Sequence, residues 1–367
     1  MTSWIHNLRQ IKTNNFPLSQ PLSARASHPN YMHRTSSAAA TLLPVGESGA
    51  GQRLDNFLAR VLKGVPRSHI YRIVRSGEVR VNGARAEVSQ KLAGSDQVRV
   101  PPVRMAQAAP AAPARQYPIL HEDAWLLAIN KPAGVAVHGG SGLSFGVIES
   151  MRASQQDRYL ELVHRLDRDT SGVLLLAKKR SALTTLHASL REREADKRYF
   201  ALVVGLWQGD AVTVSKPLHK YLTPSGERRV CIATADEGQA ARSQFRPVRR
   251  YPWSADIAAQ TGVAGLTLIE ARIHTGRTHQ IRVHLQSQGY PVVGDEKYGN
   301  EALNRLLARG EVVPGLPRNA RMFLHAAHLA LSHPHSGESL LLEADWPDED
   351  ARWLERLGRL CPAVGKN

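Results

Sequence analysis

Nine residues of the sequence, HRLDRDTSG at 164–172, place two arginines and two aspartates beside a turn. Arg165 and Asp167 flank Leu166, so in an extended segment their side chains share one face and Leu166 points to the other. A carboxylate held beside a guanidinium stays ionised at neutral pH. One interpretation of the segment is therefore a carboxylate that is held next to arginine for chemistry. A solvated charged turn is the alternative interpretation of the same residues.

A second segment, IHTGRTHQIRVHLQSQG at 273–289, carries further arginines. Its pattern predicts a strand, a turn at the first glycine, and a short helix that Thr278 caps and Gly289 ends. Arg277 and Arg282 lie five positions apart, so they point in different directions and have different roles. Either arginine taken singly is typical of a surface position. The presence of both segments in one chain favours a chemical role for the first.

The glycine-rich stretch VGESGAGQR at 45–53 nearly matches a phosphate-binding loop. Gly46 and Gly51 have the required spacing, but Gln52 stands where the phosphate-reaching lysine belongs, and no strand is predicted before it. We therefore expect no nucleoside triphosphate site. The sequence also lacks a dinucleotide or methyl-donor fingerprint, so we expect a reaction without a cofactor.

Histidines and cysteines are the candidate metal ligands. His325 and His328, at i and i+3, could share a helix face and a metal ion, but a third ligand of fitting spacing is missing. The two cysteines, Cys231 and Cys361, lie far apart. We therefore expect no metal site, and packing, hydrogen bonding or RNA contact are better uses for these histidines. The low cysteine content fits a reducing cytoplasm.

Four apolar runs predict the strands that must position these residues: WLLAIN, GVLLLAK, YFALVVG and LTLIEARI. They are not separated by regular helices, so a series of βαβ units is not expected. Residues 119–360 are therefore predicted to form one α+β domain with a mixed, largely antiparallel sheet. VLLLAK follows the HRLDRDTSG segment at once, which places Asp167 near a sheet end.

A smaller unit, residues 51–102, precedes this domain. Apolar residues at helical spacing predict two helices, in RLDNFLARVLK and RSHIYRIVRSG, and Asn82-Gly83 is a favoured pair for a type I′ hairpin turn. Five arginines recur along its helix–hairpin part with few acids between them: Arg67, Arg72, Arg75, Arg80 and Arg85. We expect them to contact phosphates, and a solvated helix face is the alternative.

The remaining segments are polar or rich in proline. Residues 1–46 contain no acid and are predicted to be a disordered basic tail, with a transit peptide as the alternative. Residues 103–118 are predicted to be an Ala/Pro linker. The net charge is +16, and residues 1–104 hold 15 Lys and Arg against 5 Asp and Glu. This excess favours nucleic acid as a partner over an anionic membrane. No apolar run approaches the roughly 18 residues of a membrane helix.

Several blocks together resemble the RluA-type pseudouridine synthase family. VHRLDRDTSGVLLLAKK is similar to the family signature, INKPAGVAVHGGSG to its first motif, and KRYFALVVG to the strand after the signature. GRTHQIRVH with YPVVGDEKYG resembles the third motif, and FLHAAHLALSHP resembles the C-terminal block. The blocks follow the family order over residues 119–345. Residues 51–102 resemble an S4 RNA-binding domain, which implies a small S4-like domain ahead of the catalytic domain.

The resemblance implies a role for each matching residue. Asp167 would be the catalytic aspartate, and Arg282 would pair with it. Tyr199 would stack on the target uracil and could take its C5 proton. Arg165 would help to open the RNA and hold the displaced strand. Two apolar residues would line the base pocket: Ile281 and Leu324.

The implied activity is the conversion of specific uridines of 23S ribosomal RNA to pseudouridine. This isomerisation needs neither a redox step nor outside energy, and hence no cofactor. Details such as AVHGGSGLSFGVIES favour the family members that act on large-subunit ribosomal RNA. We expect a cytoplasmic monomer whose partner is large-subunit ribosomal RNA, without a membrane or a small-molecule cofactor. Two alternatives are the same chemistry on tRNA and a non-catalytic RNA-binding or ribosome-assembly factor on the same fold.

Overall fold

The computed structural model describes residues 40–62, 64–103, 113, 115–139, 145–154 and 159–361. Most of the predicted basic tail at 1–46 and most of the predicted linker at 103–118 lie outside these residues. The glycine-rich end of the first motif, 140–144, lies outside them as well.

The smaller domain is built from short strands and helices: β1 (Thr41–Pro44), α1 (Gly46–Gly49), α2 (Leu54–Val61), α3 (Arg67–Arg75), β2 (Arg80–Val81), β3 (Ala84–Arg85) and β4 (Gln97–Val100). Its sheet has the order β1-β4-β2-β3. The two helices and the hairpin predicted here are confirmed. Asn82 and Gly83 have φ of 50° and 81°, and positive φ at both positions is what a type I′ turn requires.

The prediction of a disordered segment up to residue 46 is wrong for its last residues. Thr41–Pro44 form β1, which pairs antiparallel with β4. Val45, only 2% exposed, packs into the core of the smaller domain. The error arises because a four-residue segment is too short to show a periodicity, and its extended conformation depends on pairing with a strand more than fifty residues later.

The larger domain contains, in chain order, β5 (Ile119–Glu122), β6 (Leu126–Lys131), α4 (Val147–Ser154), β7 (Glu161–Leu162), β8 (Ser171–Ala177), α5 (Arg180–Glu192), β9 (Asp196–Val204), β10 (Val212–Val214), β11 (Leu218–Leu222), β12 (Arg228–Ile232), β13 (Ser243–Pro252), α6 (Ala255–Thr261), β14 (Gly265–Ile273), α7 (Gln280–Gln286), α8 (Glu301–Arg309), β15 (Leu324–Ser332), β16 (Ser339–Glu343) and α9 (Asp348–Leu360).

Ten of these strands form one sheet in the order β10-β13-β14-β9-β15-β8-β6-β5, with β16 paired to β15 and β7 to β8. β15 runs parallel to β8, and the other ladders of this sheet are antiparallel. The predicted α+β fold with a mixed, largely antiparallel sheet is therefore confirmed. β11 and β12 form a separate hairpin that packs near α7 through Leu218, Val230 and Val283.

The strand after the HRLDRDTSG segment, β8, lies in the middle of this sheet, and all seven of its residues are buried. Leu174 and Leu176 join one core cluster, whereas Val173 and Leu175 join another that includes α5. A strand covered on both faces needs apolar side chains in both directions, which explains the unbroken run VLLL. The segment that carries Asp167 is thereby anchored to the most buried part of the domain.

β8 begins in very close contact with β15. Gly172 has a φ of 109°, and a Cβ built on it would lie 2.2 Å from the carbonyl oxygen of Ala326. Glycine is required here because any larger residue would separate the two strands. The close approach brings the loop before β8 beside Leu324, the first residue of β15.

The helices of the larger domain pack against its sheet. α8 and α9 contribute to a cluster that includes Leu202 and Val204 of β9. α5 packs on the β8 face described above. Within the part of the chain that the structure describes, no helix has the length and apolar composition needed to cross a membrane.

Candidate active site

A cleft opens where the loop before β8 meets β9, the end of β14, the N-terminus of α7 and the start of β15. Its lining brings together the predicted residues from both sequence segments: Arg165, Asp167, Tyr199, Ile281, Arg282 and Leu324. These residues are spread over about 160 positions of the sequence. The fold therefore assembles the residues that the motifs singled out for chemistry.

The loop before β8 has the alternation that the sequence predicts. Arg165 is exposed, Leu166 is buried and Asp167 is half-buried. The amide of Thr170 donates a hydrogen bond to the carbonyl oxygen of Asp167, 3.2 Å away, and closes the turn into β8. Leu166 thus anchors the loop in the core while Asp167 faces the cleft.

Lys131, at the end of β6, also supports this loop and was missed in the sequence. Its side chain is fully buried, and its Nζ donates to the carbonyl oxygens of Pro132, Val135 and Arg168 at 2.7, 2.8 and 3.0 Å. Burial lowers the pKa of Lys131 to about 7, with the nearby carboxylates of Asp169 and Asp167 acting in the opposite direction. The bonds tie the first motif to the signature loop.

Asp167 and Arg282 form an ion pair at the base of the cleft. Arg282 Nη1 lies 3.2 Å from Asp167 Oδ2. The same guanidinium makes a bidentate pair with Asp295, in which Nε and Nη2 each lie 2.7 Å from a carboxylate oxygen. Planar two-point pairing of this kind fixes the orientation of an arginine as well as its position. Asp295 therefore determines the direction of Nη1, the nitrogen of Arg282 that reaches Asp167.

This buried charge cluster is electrostatically coupled. Burial alone would lower the pKa of Arg282, but the carboxylates of Asp295 and Asp167 outweigh it and raise that pKa above its ordinary value. Burial would raise the pKa of Asp295, whereas the guanidinium of Arg282 and the amides of Lys297 and Tyr298 hold it below its usual range. Arg282 and Asp295 are both charged at neutral pH, as the pairing requires.

The start of α7 differs from the prediction. Thr278 does not cap the helix; His279 occupies the N-cap position in the left-handed region, with a φ of 53°. Gln280 organises the preceding turn instead, because its Oε1 accepts from Thr275 Oγ1 and from the amide of Arg277. Six buried residues of α7, including Arg282, hold this helix against the sheet and hairpin.

Tyr199 lies on β9 opposite Ala271 of β14 and Ala326 of β15, with its ring on the wall of the cleft. Burial, helped by the negative charge of Asp167, raises the pKa of the Tyr199 phenol above its ordinary value. The phenol is therefore neutral at physiological pH. Ile281 and Leu324, both buried, add apolar surface beside it.

The arginines predicted to contact phosphates occupy a different part of the molecule from the cleft. Arg67, Arg72, Arg75 and Arg80 are exposed on α3 and β2 of the smaller domain, and none of them lines the cleft. Arg165, by contrast, is exposed at the rim of the cleft itself.

The histidines proposed as candidate metal ligands lie on β15, so the helix face expected for them is wrong. His325 and His328 lie three apart on this strand, and the register of β15 against β9 shifts between Ala326 and His328. Both ring nitrogens of His325 are engaged, Nδ1 with Ser171 Oγ and Nε2 with the carbonyl oxygen of Ala344. Among the described residues, no cluster of three or more metal-ligating side chains was found.

Three residues of the site carried no recognisable signal in the sequence: Asp295, Tyr298 and His279. Asp295 and Tyr298 lie in the block YPVVGDEKYG and His279 in GRTHQIRVH, but neither spacing nor residue type distinguished them from surface polar residues. Each depends on contacts with residues distant in the sequence, which a local pattern does not reveal.

Comparison with known proteins identifies two family models along the chain. A family model described as RNA pseudouridylate synthase matches residues 125–287, which include Asp167, Tyr199 and Arg282. A second model, described as S4 domain, matches residues 52–98. The order of the two models along the chain is the order of the two domains described above.

Curated relatives resemble the chain over nearly their whole length. The ribosomal large subunit pseudouridine synthase C of Escherichia coli strain K12 is 46% identical over 333 residues, which cover 88% of this chain and 98% of the relative. The protein of the same name from Pasteurella multocida is 47% identical over 328 residues, covering 87% of this chain and 94% of the relative.

Solved structures show a related fold. The structure titled Human RNA Pseudouridylate Synthase Domain Containing 4 aligns with a TM-score of 0.50 and 26% sequence identity. The alignment covers 68% of this chain and 95% of that chain.

Proposed function

The chain belongs to the RNA pseudouridylate synthase family, and from this premise we propose that Asp167, Tyr199 and Arg282 are the centre at which it converts uridine in large-subunit ribosomal RNA to pseudouridine. The observation that supports this most directly is the ion pair of Asp167 with Arg282 in an open cleft beside Tyr199.

The reaction requires little besides a positioned carboxylate. The C1′–N1 bond of uridine breaks, the base turns, and C5 joins C1′; N1 gains a proton and C5 loses one. Atoms and electrons balance within the nucleotide, so no oxidant, reductant or cosubstrate is consumed. The electron-deficient C1′ is the point at which an anionic oxygen assists, as in glycoside cleavage.

Asp167 has the geometry for this task. Its Oδ2 is held by Arg282, whereas its Oδ1 makes no hydrogen bond to any described residue and can meet the sugar. Holding one oxygen fixes the direction of the other. The carboxylate then acts on the sugar ring, by adding to C1′ or by taking a proton from the sugar.

Tyr199 serves best as the stacking surface for the uracil. An aromatic face holds a freed base close while still allowing it to turn in its plane. Because the phenol is neutral at physiological pH, it can take a proton from C5 only if it first gives up its own. We therefore assign Tyr199 to stacking, with Ile281 and Leu324 as the apolar neighbours of the base.

Arg165 and the smaller domain are proposed to bind the RNA around the target. The target base must leave its stack, at a cost of a few kcal/mol, and a basic residue at the rim can offset part of this cost. The exposed position of Arg165 at the rim of the cleft supports that role. Arg67, Arg72, Arg75 and Arg80 would add sequence-independent phosphate contacts from the S4 domain.

Replacing the catalytic oxygen tests the proposal. In Asp167→Asn, tritium release from 5-tritiated uridine in a large-subunit ribosomal RNA fragment should fall at least roughly 10³-fold, because the anionic oxygen becomes part of a neutral amide. RNA binding should persist, since the S4 surface is unchanged. Tritium release at the wild-type rate would overturn the catalytic assignment and favour a non-catalytic RNA-binding or ribosome-assembly factor.

The RNA class needs its own experiment. Reverse-transcription mapping of pseudouridine in a strain that lacks this protein should show the loss of signals in 23S ribosomal RNA. Restoring the wild-type chain should return them, and the Asp167→Asn chain should not. Loss of pseudouridine signals in tRNA alone would show that the chain performs the same chemistry on tRNA and not on 23S ribosomal RNA.

A further inference from the structure

His279 is an unusual residue on the wall of the cleft. It is not a glycine, yet it has a φ of 53°, in the left-handed region that non-glycine residues adopt uncommonly, although asparagine, aspartate and histidine do so more often than the others. It directly precedes α7, the helix of Arg282, and its ring edge faces Asp167. Strained conformations of this kind persist only where surrounding contacts hold them, and they concentrate at functional sites.

Tyr298 controls which nitrogen of His279 carries the proton. The phenol oxygen of Tyr298 accepts a hydrogen bond from the amide of Val230, 2.8 Å away, in the β11–β12 hairpin. The same oxygen lies 2.8 Å from His279 Nδ1. Among the described residues these are its two partners, and an amide can only donate. The hydroxyl of Tyr298 therefore donates a hydrogen bond to Nδ1, which accepts it. The neutral imidazole then carries its own proton on Nε2.

The pKa values of His279 and Tyr298 agree with this arrangement of hydrogen bonds. Burial lowers the pKa of His279 to about 4; Asp167 and Asp295 oppose the shift, and Arg282 and Lys297 add to it. Burial raises the pKa of Tyr298 to about 12. At neutral pH the imidazole is uncharged and the phenol is a donor. A single tautomer of His279 is therefore favoured.

The protonated Nε2 points at the oxygen of Asp167 that Arg282 already holds. Its distance to Asp167 Oδ2 is 3.9 Å, and the side chain of His279 is 13% exposed. That separation is too long for a hydrogen bond, and contacts of this kind commonly shorten when substrate fills a site. Oδ1 would remain unoccupied on the side of the sugar.

We propose that His279 is a positioning residue for Asp167, whose Nε2–H, set by Tyr298, secures Oδ2 alongside Arg282 so that Oδ1 faces the sugar. This inference rests on the proposed function and deepens it. It assigns the strained turn before α7 a task in catalysis. It also connects the β11–β12 hairpin, through Val230 and Tyr298, to the carboxylate.

Two substitutions of one residue separate this role from a structural one. In His279→Gln the amide nitrogen reaches the position of Nε2, whereas in His279→Asn it reaches only that of Nδ1. Asparagine suits the left-handed backbone better than glutamine does. A purely structural role therefore predicts that Asn is the better replacement, and the positioning role predicts the reverse.

Single-turnover tritium release at saturating RNA is the measurement. We expect His279→Gln to stay within about 5-fold of wild type and His279→Asn to fall roughly 10- to 100-fold, the usual range for losing a group that orients a functional side chain. The RNA dissociation constant should be unchanged in both. His335→Gln, which alters an exposed histidine stacked on Trp125, is the matched control and should keep the wild-type rate.

A spectroscopic measurement needs no substrate. Nitrogen-15 NMR of histidine side chains should show that Nε2 of His279 is protonated and Nδ1 is not. The signals of His279 are assigned by their absence in His279→Asn. Tyr298→Phe should weaken this preference. A protonated Nδ1, or a rate for Asn equal to or above that for Gln, would overturn the positioning role. A wild-type chain that releases no tritium from ribosomal RNA would instead overturn the proposed function. The tautomer of His279 is measured without substrate, so that result would remain valid.

Discussion

At the scale of single residues, the site depends on a carboxylate that is itself fully buried. Asp295 has no exposed side-chain surface and binds Arg282 through both oxygens. The amides of Lys297 and Tyr298 donate to it as well. Arg282 must serve Asp295 and Asp167 together, so Asp167, the carboxylate proposed to be catalytic, is positioned indirectly by this buried partner.

Asp295→Asn should therefore reduce both stability and activity. Replacing one oxygen by an amide group leaves Arg282 buried with a single carboxylate. We expect the free energy of unfolding to fall by about 3 kcal/mol, the lower end for breaking a buried pair. Urea unfolding and single-turnover tritium release measure the two effects.

Glu301→Ala is the control for Asp295→Asn, because Glu301 pairs with Arg305 on the exposed surface of α8. Exposed pairs at this spacing contribute little, so stability should barely change. Equal losses in the two variants would show that the buried cluster has no special role.

At the scale of elements, the site requires the parallel contact between β8 and β15. Gly172 permits that contact, as its missing Cβ would overlap the backbone of Ala326. The contact fixes the distance between the Asp167 loop and Leu324. The hydrophobic pattern of β8 explains its burial but not this pairing.

Gly172→Ala should destabilise the domain by about 3 kcal/mol or more, because positive φ and a backbone overlap act together. Gly226→Ala is the matched control: Gly226 also has positive φ, 80°, but open space surrounds its Cβ position. That variant should lose only about 1 kcal/mol. Thermal unfolding distinguishes them, and similar losses would show that overlap with Ala326 is unimportant.

At the scale of the whole molecule, the smaller domain carries a group of exposed arginines in addition to the arginines that line the cleft. Arg72→Glu with Arg75→Glu should weaken RNA binding and reduce the slope of log K against log salt by about one unit for each phosphate that is no longer neutralised. The fold should persist because both side chains are exposed on α3.

Arg305→Glu, on α8 of the larger domain, is the control for the charge reversal and should leave the slope unchanged. Filter binding across a salt series gives the slopes. An unchanged slope in the double variant would contradict a phosphate-contacting role for α3.

The stability of the larger domain should depend on pH through buried neutral histidines. Burial lowers the pKa of His164 to about 4, and its Nε2 accepts a hydrogen bond from the amide of Leu175. An unfolded histidine takes up a proton near pH 6.5. Unfolding therefore binds a proton between about pH 6.5 and 4, and stability is lost as pH falls through that window.

The expected slope is about 1.4 kcal/mol per pH unit for each such histidine. His325, whose pKa burial also lowers to about 4, adds to it. His164→Gln should remove one group from the titration, and its amide oxygen can still accept from Leu175. Denaturant unfolding at several pH values measures the slope; a slope equal to that of wild type would exclude His164 as a contributor.

Much of the fold was accessible from the sequence because local patterns reflect local physics. The four apolar runs became β6, β8, β9 and β14, and Asn82-Gly83 formed the expected turn. Continuous apolar strands and left-handed turn residues can be identified without knowledge of the residues that contact them in the folded chain. The predictions for Thr278 and for the segment 41–44 were wrong. A helix cap and an edge strand depend on which neighbouring residues make the competing hydrogen bonds, and a short segment does not show this.

The sequence by itself determined the fold class and the order of the two domains, since motif composition and hydrophobic periodicity are properties of short segments. The roles expected for the site residues came from the resemblance of those motifs to a known family. Tertiary structure alone decided that Arg282, which was expected to pair with Asp167, also binds Asp295, and that His279 faces Asp167 with Tyr298 behind it. Such contacts join residues up to 115 positions apart. Their geometry is set by the packing of β8, β15 and α7, which no single segment encodes.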